Sequence, residues 1–190
     1  MTPTHLPGRP AIPTLPAVLG AFNSATVEEV HKLLLDCLRS HRWADRVSAH
    51  RPYPDLASLL AAADEAAYDL APGDLAEALA AESLPTLPDG AYSAAHMAMS
   101  AAHAAYESKF GHAFVICLDG VPPSEALDHV LEGIRSRLAN DPEDERVVAA
   151  EELRRLAKER LGALLRGAGC DPVRLPPRGR DQPPAPAPGR

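Results

Sequence analysis

The sequence predicts an all-α protein: a single-domain bundle of about seven helices with one short buried extended segment. Three observations carry this. Apolar residues recur at three- and four-residue spacing between residues that cap helices. Aromatic residues make up 4% of the chain against 46% hydrophobic residues overall. A core built so largely from Leu, Val and Ala suits helices. Finally, only one run, Phe110–Gly120, is short, apolar and bounded by glycine in the manner of a strand, and it has no second such run to pair with. A length of 190 residues fits one domain with a sizeable core.

The elements follow in chain order. Thr26 with Glu29 forms a capping box, and Val27, Val30, Leu33, Leu34 and Leu38 make one stripe behind it. A short helix carries Trp43 and Val47 and is broken by RPYPD. Asp55 caps a third helix with Leu56, Leu59, Leu60 and Ala63 inward. Asp74 with Glu77 reads as a second box, opening a helix that carries Leu75 and Leu79 and ends near Glu82. Ser93 caps an Ala-rich helix running to about Lys109. Pro122, Pro123 and Ser124 start a helix with Leu127, Val130, Leu131, Ile134 and Leu138, and a last one runs from Glu143 to Leu165.

The ends differ in composition from the body. Of 20 prolines, five lie in 1–16 and seven in 172–190. The chain therefore divides into a flexible Pro-rich segment, 1–16, a helical domain, 17–168, and a disordered Pro/Arg-rich tail, 169–190. Residues 22–168 carry 14 basic and 24 acidic side chains. So acidic a body argues against nucleic acid or an anionic membrane as partner. Cys37, Cys117 and Cys170 match neither a metal knuckle nor a disulfide framework, and the first two read as buried thiols. Without an apolar span or a secretion signal at the start of the sequence, a cytoplasmic protein is expected.

Few residues suggest chemistry. Arg160 falls one turn after Leu156 and one turn before Leu164, on the apolar stripe of the last helix. A guanidinium there must meet a carboxylate, carbonyls or an anionic ligand, because it does not shed its charge. An internal ion pair or a snorkelling side chain satisfies it equally. Glu82 closes one helix and His96 opens the next, so a carboxylate and an imidazole flank one loop. Such a pair serves proton transfer, or is two unrelated surface residues. His96, His103 and Glu82 do not read as a metal site, since seven residues is two turns and too far for easy joint ligation. The chain has no glycine-rich phosphate loop and no nucleophile elbow.

Several strings, taken together and in order, resemble one known family. They are Phe22-Asn23, Trp43 ahead of Arg51-Pro52-Tyr53, Tyr106-Glu107 before Phe110-Gly111, and Phe114-Val115-Ile116-Cys117. Arg137-Leu138 with Asn140-Asp141, and Glu152 ahead of Arg160-Leu161, complete the set. They resemble the OHCU decarboxylases (2-oxo-4-hydroxy-4-carboxy-5-ureidoimidazoline decarboxylases) over roughly residues 15–166. The resemblance implies an all-α, cofactor-free, metal-free homodimer acting in uric acid breakdown on a small anionic substrate to give (S)-allantoin. It implies a catalytic arginine at Arg160 and backbone contacts to substrate from Phe114 and Ile116. The family's AHPRIG string stands here as Ala81-Glu82-Ser83-Leu84-Pro85, with Glu82 in place of histidine. Its SxxEQ string has its nearest match in Ser93-Ala94-Ala95-His96-Met97, with His96 in place of glutamate and Ser93 carried over as substrate-binding. Two readings stay open. Glu82 and His96 have exchanged the family's acid and imidazole, or the chemistry is lost and the chain binds another small anion or a partner protein.

Overall fold

The computed structural model describes residues 15–83 and 93–167, without the side chains of Pro16 and of residues 93–96. Among the described residues there are eight helices: α1 (Leu15–Ser24), α2 (Val27–Cys37), α3 (His41–Ala49), α4 (Leu56–Tyr68), α5 (Pro72–Ala81), α6 (Ser93–Phe110), α7 (Ala126–Arg137) and α8 (Pro142–Leu165). The all-α class stands, with one helix more than expected. The extra one is α1, whose first residues fall inside the stretch 1–16 read as an extension. No capping signal announces it, and its buried Leu19 and Phe22 acquire meaning only when they pack into the main core. The rest of 1–14 and the tail from 168 onward lie outside the described residues.

Local signals place most helix starts. Thr26 and Glu29 make the expected reciprocal box, and Asp55 accepts the Ser58 N–H at 2.7 Å. The expected box at Asp74 and Glu77 is not formed. α5 starts earlier, with Pro72 in its first turn and Ala71 as a cap without a side-chain bond, leaving Asp74 inside the first turn. α7 begins later than expected, at Ala126, after a turn over Pro122–Glu125. Val27, assigned to the α2 stripe, is exposed, and Cys37 takes the inward place beside Val30 and Leu34.

α8 is the axis of the main core. Ala149, Leu153, Ala157, Leu161 and Leu165 recur every fourth residue and are fully buried, with α1, α2 and α4 packed along them. The two alanines on that stripe leave room for α4 to come close. A second, smaller cluster joins α6 and α7 through Met99, Tyr106, Phe114, Val130 and Ile134. The Phe110–Gly120 stretch is neither helix nor strand beyond Phe110. It runs extended from Ala113 to Leu118, contributing Phe114 to the second cluster and Val115 to the first.

Most of the strings that carried the resemblance turn out to hold this scaffold together. The Asn23 amide donates to the Tyr53 carbonyl and accepts the Tyr53 N–H, at 2.8 and 2.9 Å, tying α1 to the turn before α4. Arg51 donates to the Phe22 and Ala25 carbonyls, closing the end of α1. The Trp43 indole donates to the Ala63 carbonyl. Arg137, Tyr106 and Asn140 all converge on the fully buried Glu145. Arg137 also donates to the Val115 carbonyl at 2.6 Å, so a buried ion pair fixes the middle of the extended segment.

Candidate active site

The extended segment, the end of α5 and the C-terminal part of α8 border a cavity of about 160 Å³, lined by Glu82, Phe114, Val115, Ile116, Glu159 and Arg160 among others. That is the volume of about five water molecules. Larger hollows lie elsewhere, one of about 400 Å³ beside α5 and a groove of about 620 Å³ between α1, α2 and α8. Among the described residues, the small cavity brings a partly buried guanidinium together with two carboxylates and an extended backbone.

Arg160 lies on α8 in the half-buried row of Leu156 and Leu164, at the edge of the stripe rather than its centre. Its guanidinium meets Glu82 through both terminal nitrogens, Nη1 to Oε1 at 2.7 Å and Nη2 to Oε2 at 2.9 Å. Nη1 also donates to the Cys37 carbonyl at 3.1 Å. This is the two-pronged carboxylate geometry that guanidinium favours. The Glu82 side chain is 5% exposed and that of Arg160 29%. Glu82 reaches this position as the C-cap of α5, with extended backbone that turns the chain out of the helix.

The opposite wall is the extended segment. The Cys117 N–H donates to Glu152 at 2.6 Å, and the Val115 carbonyl accepts from Arg137. Other backbone groups of the segment are left over by these two bonds. Among the described residues, the backbone N–H and C=O of Phe114 and Ile116 have no hydrogen-bond partner. Buried backbone groups are almost always paired, so such leftovers beside a cavity mark where water or a ligand binds. The Cys117 thiol lies 3.5 Å from Glu159. Burial pushes its pKa up and the Glu159 charge adds to this, so it remains a thiol donating to the carboxylate.

Arg160, Glu82, Phe114 and Ile116 thus share one cavity. Ser93 and His96 occupy the first turn of α6, and their side chains lie outside the described residues. Sequence reasoning misses Glu159, although its place three residues after Leu156 puts it on the same side of α8. His103, set aside as a metal ligand, is buried, and its Nε2 has no hydrogen-bond partner. Its ring stands 6.1 Å from that of Phe114. Burial holds its pKa below the ordinary histidine value, so the imidazole is kept neutral.

The fold has solved counterparts. The crystal structure of an OHCU decarboxylase in the presence of (S)-allantoin superposes with a TM-score of 0.61 at 21% identity, covering 74% of this chain and 99% of that one. The crystal structure of an (S)-allantoin synthase gives 0.58 at 21% identity, covering 79% of this chain. This chain spans about half of the synthase, 53% of its length. No curated protein sequence matches. The likeness of the two structures is one of fold. The sequence itself matches the OHCU decarboxylase family model over residues 23–162, a span that takes in α2 to α7, the extended segment, Glu82 and Arg160. By that match, the chain belongs to the OHCU decarboxylase family.

Proposed function

We propose that this chain is a decarboxylase of purine catabolism, converting OHCU to (S)-allantoin without a cofactor, and that the cavity at Arg160 is its reaction centre. The carrying observation is the meeting of Arg160 with two residues, Phe114 and Ile116, whose backbone groups have no partner among the described residues, across a space that suits a small molecule.

Loss of carbon dioxide breaks the bond from the ring carbon to the carboxylate and leaves an electron pair that the ring delocalises. A proton must then be added to that carbon. Arg160 would bind an anionic oxygen of the substrate and stabilise the developing charge. The backbone of Phe114 and Ile116 would hold the polar atoms of the ureido group and ring. Glu82, seated on the guanidinium until the substrate takes its place, and His96 at the start of α6, with Ser93 beside it, would then manage the proton. Delivery to one face of the ring would produce a single enantiomer.

The test generates OHCU enzymatically from urate and follows the excess of (S)-allantoin by circular dichroism. Formation above the spontaneous rate is expected, with a fall of about 10²-fold in Arg160→Gln. A wild-type rate equal to background would refute the assignment. The Glu82–Arg160 pair favours a second reading, a diverged relative whose arginine no longer captures an anion. Wild type and Arg160→Gln would then be alike at background rate.

A further inference from the structure

The guanidinium that would receive a substrate's anionic group already carries a carboxylate from the chain itself. We propose that Glu82 determines which ligands this cavity takes: it is an internal carboxylate seated on Arg160, and an anionic ligand reaches the guanidinium only by exchanging with it. The proposal rests on the reading of the cavity as a substrate site.

Geometry makes the two carboxylates alternatives. Glu82 engages both terminal nitrogens of Arg160 at 2.7 and 2.9 Å, the two-pronged seat that a substrate carboxylate would need. The partners are held unequally. Arg160 projects from the C-terminal part of the longest helix and is anchored to the body by the Cys37 carbonyl. Glu82 is the first residue beyond α5, with its N–H on the Leu79 carbonyl at 3.3 Å. α5 itself lacks a side-chain cap and borders the hollow of about 400 Å³ against Phe110–His112. Arg160 is therefore the fixed member and Glu82 the exchangeable one.

Charge points the same way. Two carboxylates, Glu82 and Glu159, line the cavity together with one guanidinium. An entering anion meets no net positive charge until Glu82 leaves. A neutral molecule rich in N–H donors, such as a ureide, meets two carboxylates able to accept from it. Glu82 thus penalises free anions and spares neutral ureides, a form of discrimination built on repulsion.

The experiment measures binding of two ureides, neutral allantoin and anionic allantoate, to the full chain and to Glu82→Gln and Glu82→Ala. Wild type should prefer allantoin. Both variants should bind allantoate about tenfold more tightly, the worth of one unmasked charge contact, while allantoin affinity changes less than about threefold. Unchanged or weaker allantoate binding in variants of wild-type helicity would overturn the proposal. So would failure of either ureide to bind any form, which would also remove the cavity reading. Should both variants unfold, the wild-type complex with allantoate decides. Its carboxylate on Arg160 with Glu82 displaced supports exchange, and allantoate bound beside an intact Glu82–Arg160 pair overturns it. OHCU turnover by wild type separates the two readings. Tighter allantoate binding in the variants with no wild-type turnover keeps the exchange and sinks the decarboxylase. Turnover without that gain does the reverse.

Discussion

Replacing Glu145 by glutamine removes one charge from the centre of the fold and leaves the shape almost unchanged. The Glu145 carboxylate is fully buried and takes the Arg137 guanidinium at 2.8 Å through Nε and 2.5 Å through Nη2. It also accepts from the Tyr106 hydroxyl and from the Asn140 amide at 2.9 Å. Every one of these partners is a donor. A glutamine offers one acceptor oxygen and one NH₂, so at least one donor meets another donor, and Arg137 keeps its charge while losing the carboxylate it is paired with. Breaking a buried pair from one side costs about 3–5 kcal/mol. The retained amide oxygen places this case near the lower end, about 3 kcal/mol. For a domain of this size each kcal/mol moves the midpoint by about 2–4 °C. Thermal unfolding followed at 222 nm should therefore show Tm lower by about 6–12 °C. The loss should also reach the cavity wall, because Arg137 holds the Val115 carbonyl. Amide exchange at Cys117, whose N–H is held by Glu152, should speed up well before global unfolding. A fall in Tm under about 2 °C would mean that the network is not what fixes the extended segment, and the reasoning would fail.

Two further outcomes test the same description. Gly133 on α7 lies against the cavity segment, and a Cβ there would meet Phe114 at 3.1 Å and Ile116 at 3.2 Å. Phe114 is fully buried, edge-on to Tyr106 and under Arg137, so it has little room to yield. Gly133→Ala should lower stability by about 1 kcal/mol despite a similar gain in helix propensity, and a raised urea midpoint would contradict this. His103 gives a pH test. Burial lowers its pKa in the fold, with Glu107 opposing in part, so the unfolded chain takes up the proton first as pH falls. Its contribution to stability is complete above the ordinary histidine pKa of about 6.5 and is lost on acidification below it. Between about pH 7 and about pH 5.5 the urea midpoint should fall more steeply in wild type than in His103→Met. Equal slopes would remove His103 from the account.

Features that depend on near neighbours along the chain are legible in the sequence. Helical spacing and the caps at Thr26 and Asp55 placed α2, α3, α4, α6 and α8 because a cap and its helix lie within four residues of each other. The resemblance placed Glu82, Arg160, Phe114 and Ile116 in one site. Only the tertiary structure decided how those groups meet. Arg160 and Glu82 are 78 residues apart, and their two-pronged pairing depends on where the end of α5 lies against α8. The strand-like pattern of Phe110–Gly120 left its conformation open, and it was set by long-range partners, Arg137 on the Val115 carbonyl and Glu152 on the Cys117 N–H. α1 went unread for the same reason, since Leu19 and Phe22 matter only through the core they join. Arg160 stood out because a guanidinium on an apolar stripe must be paired. That its partner is Glu82 is a fact of packing, and no local pattern carries it.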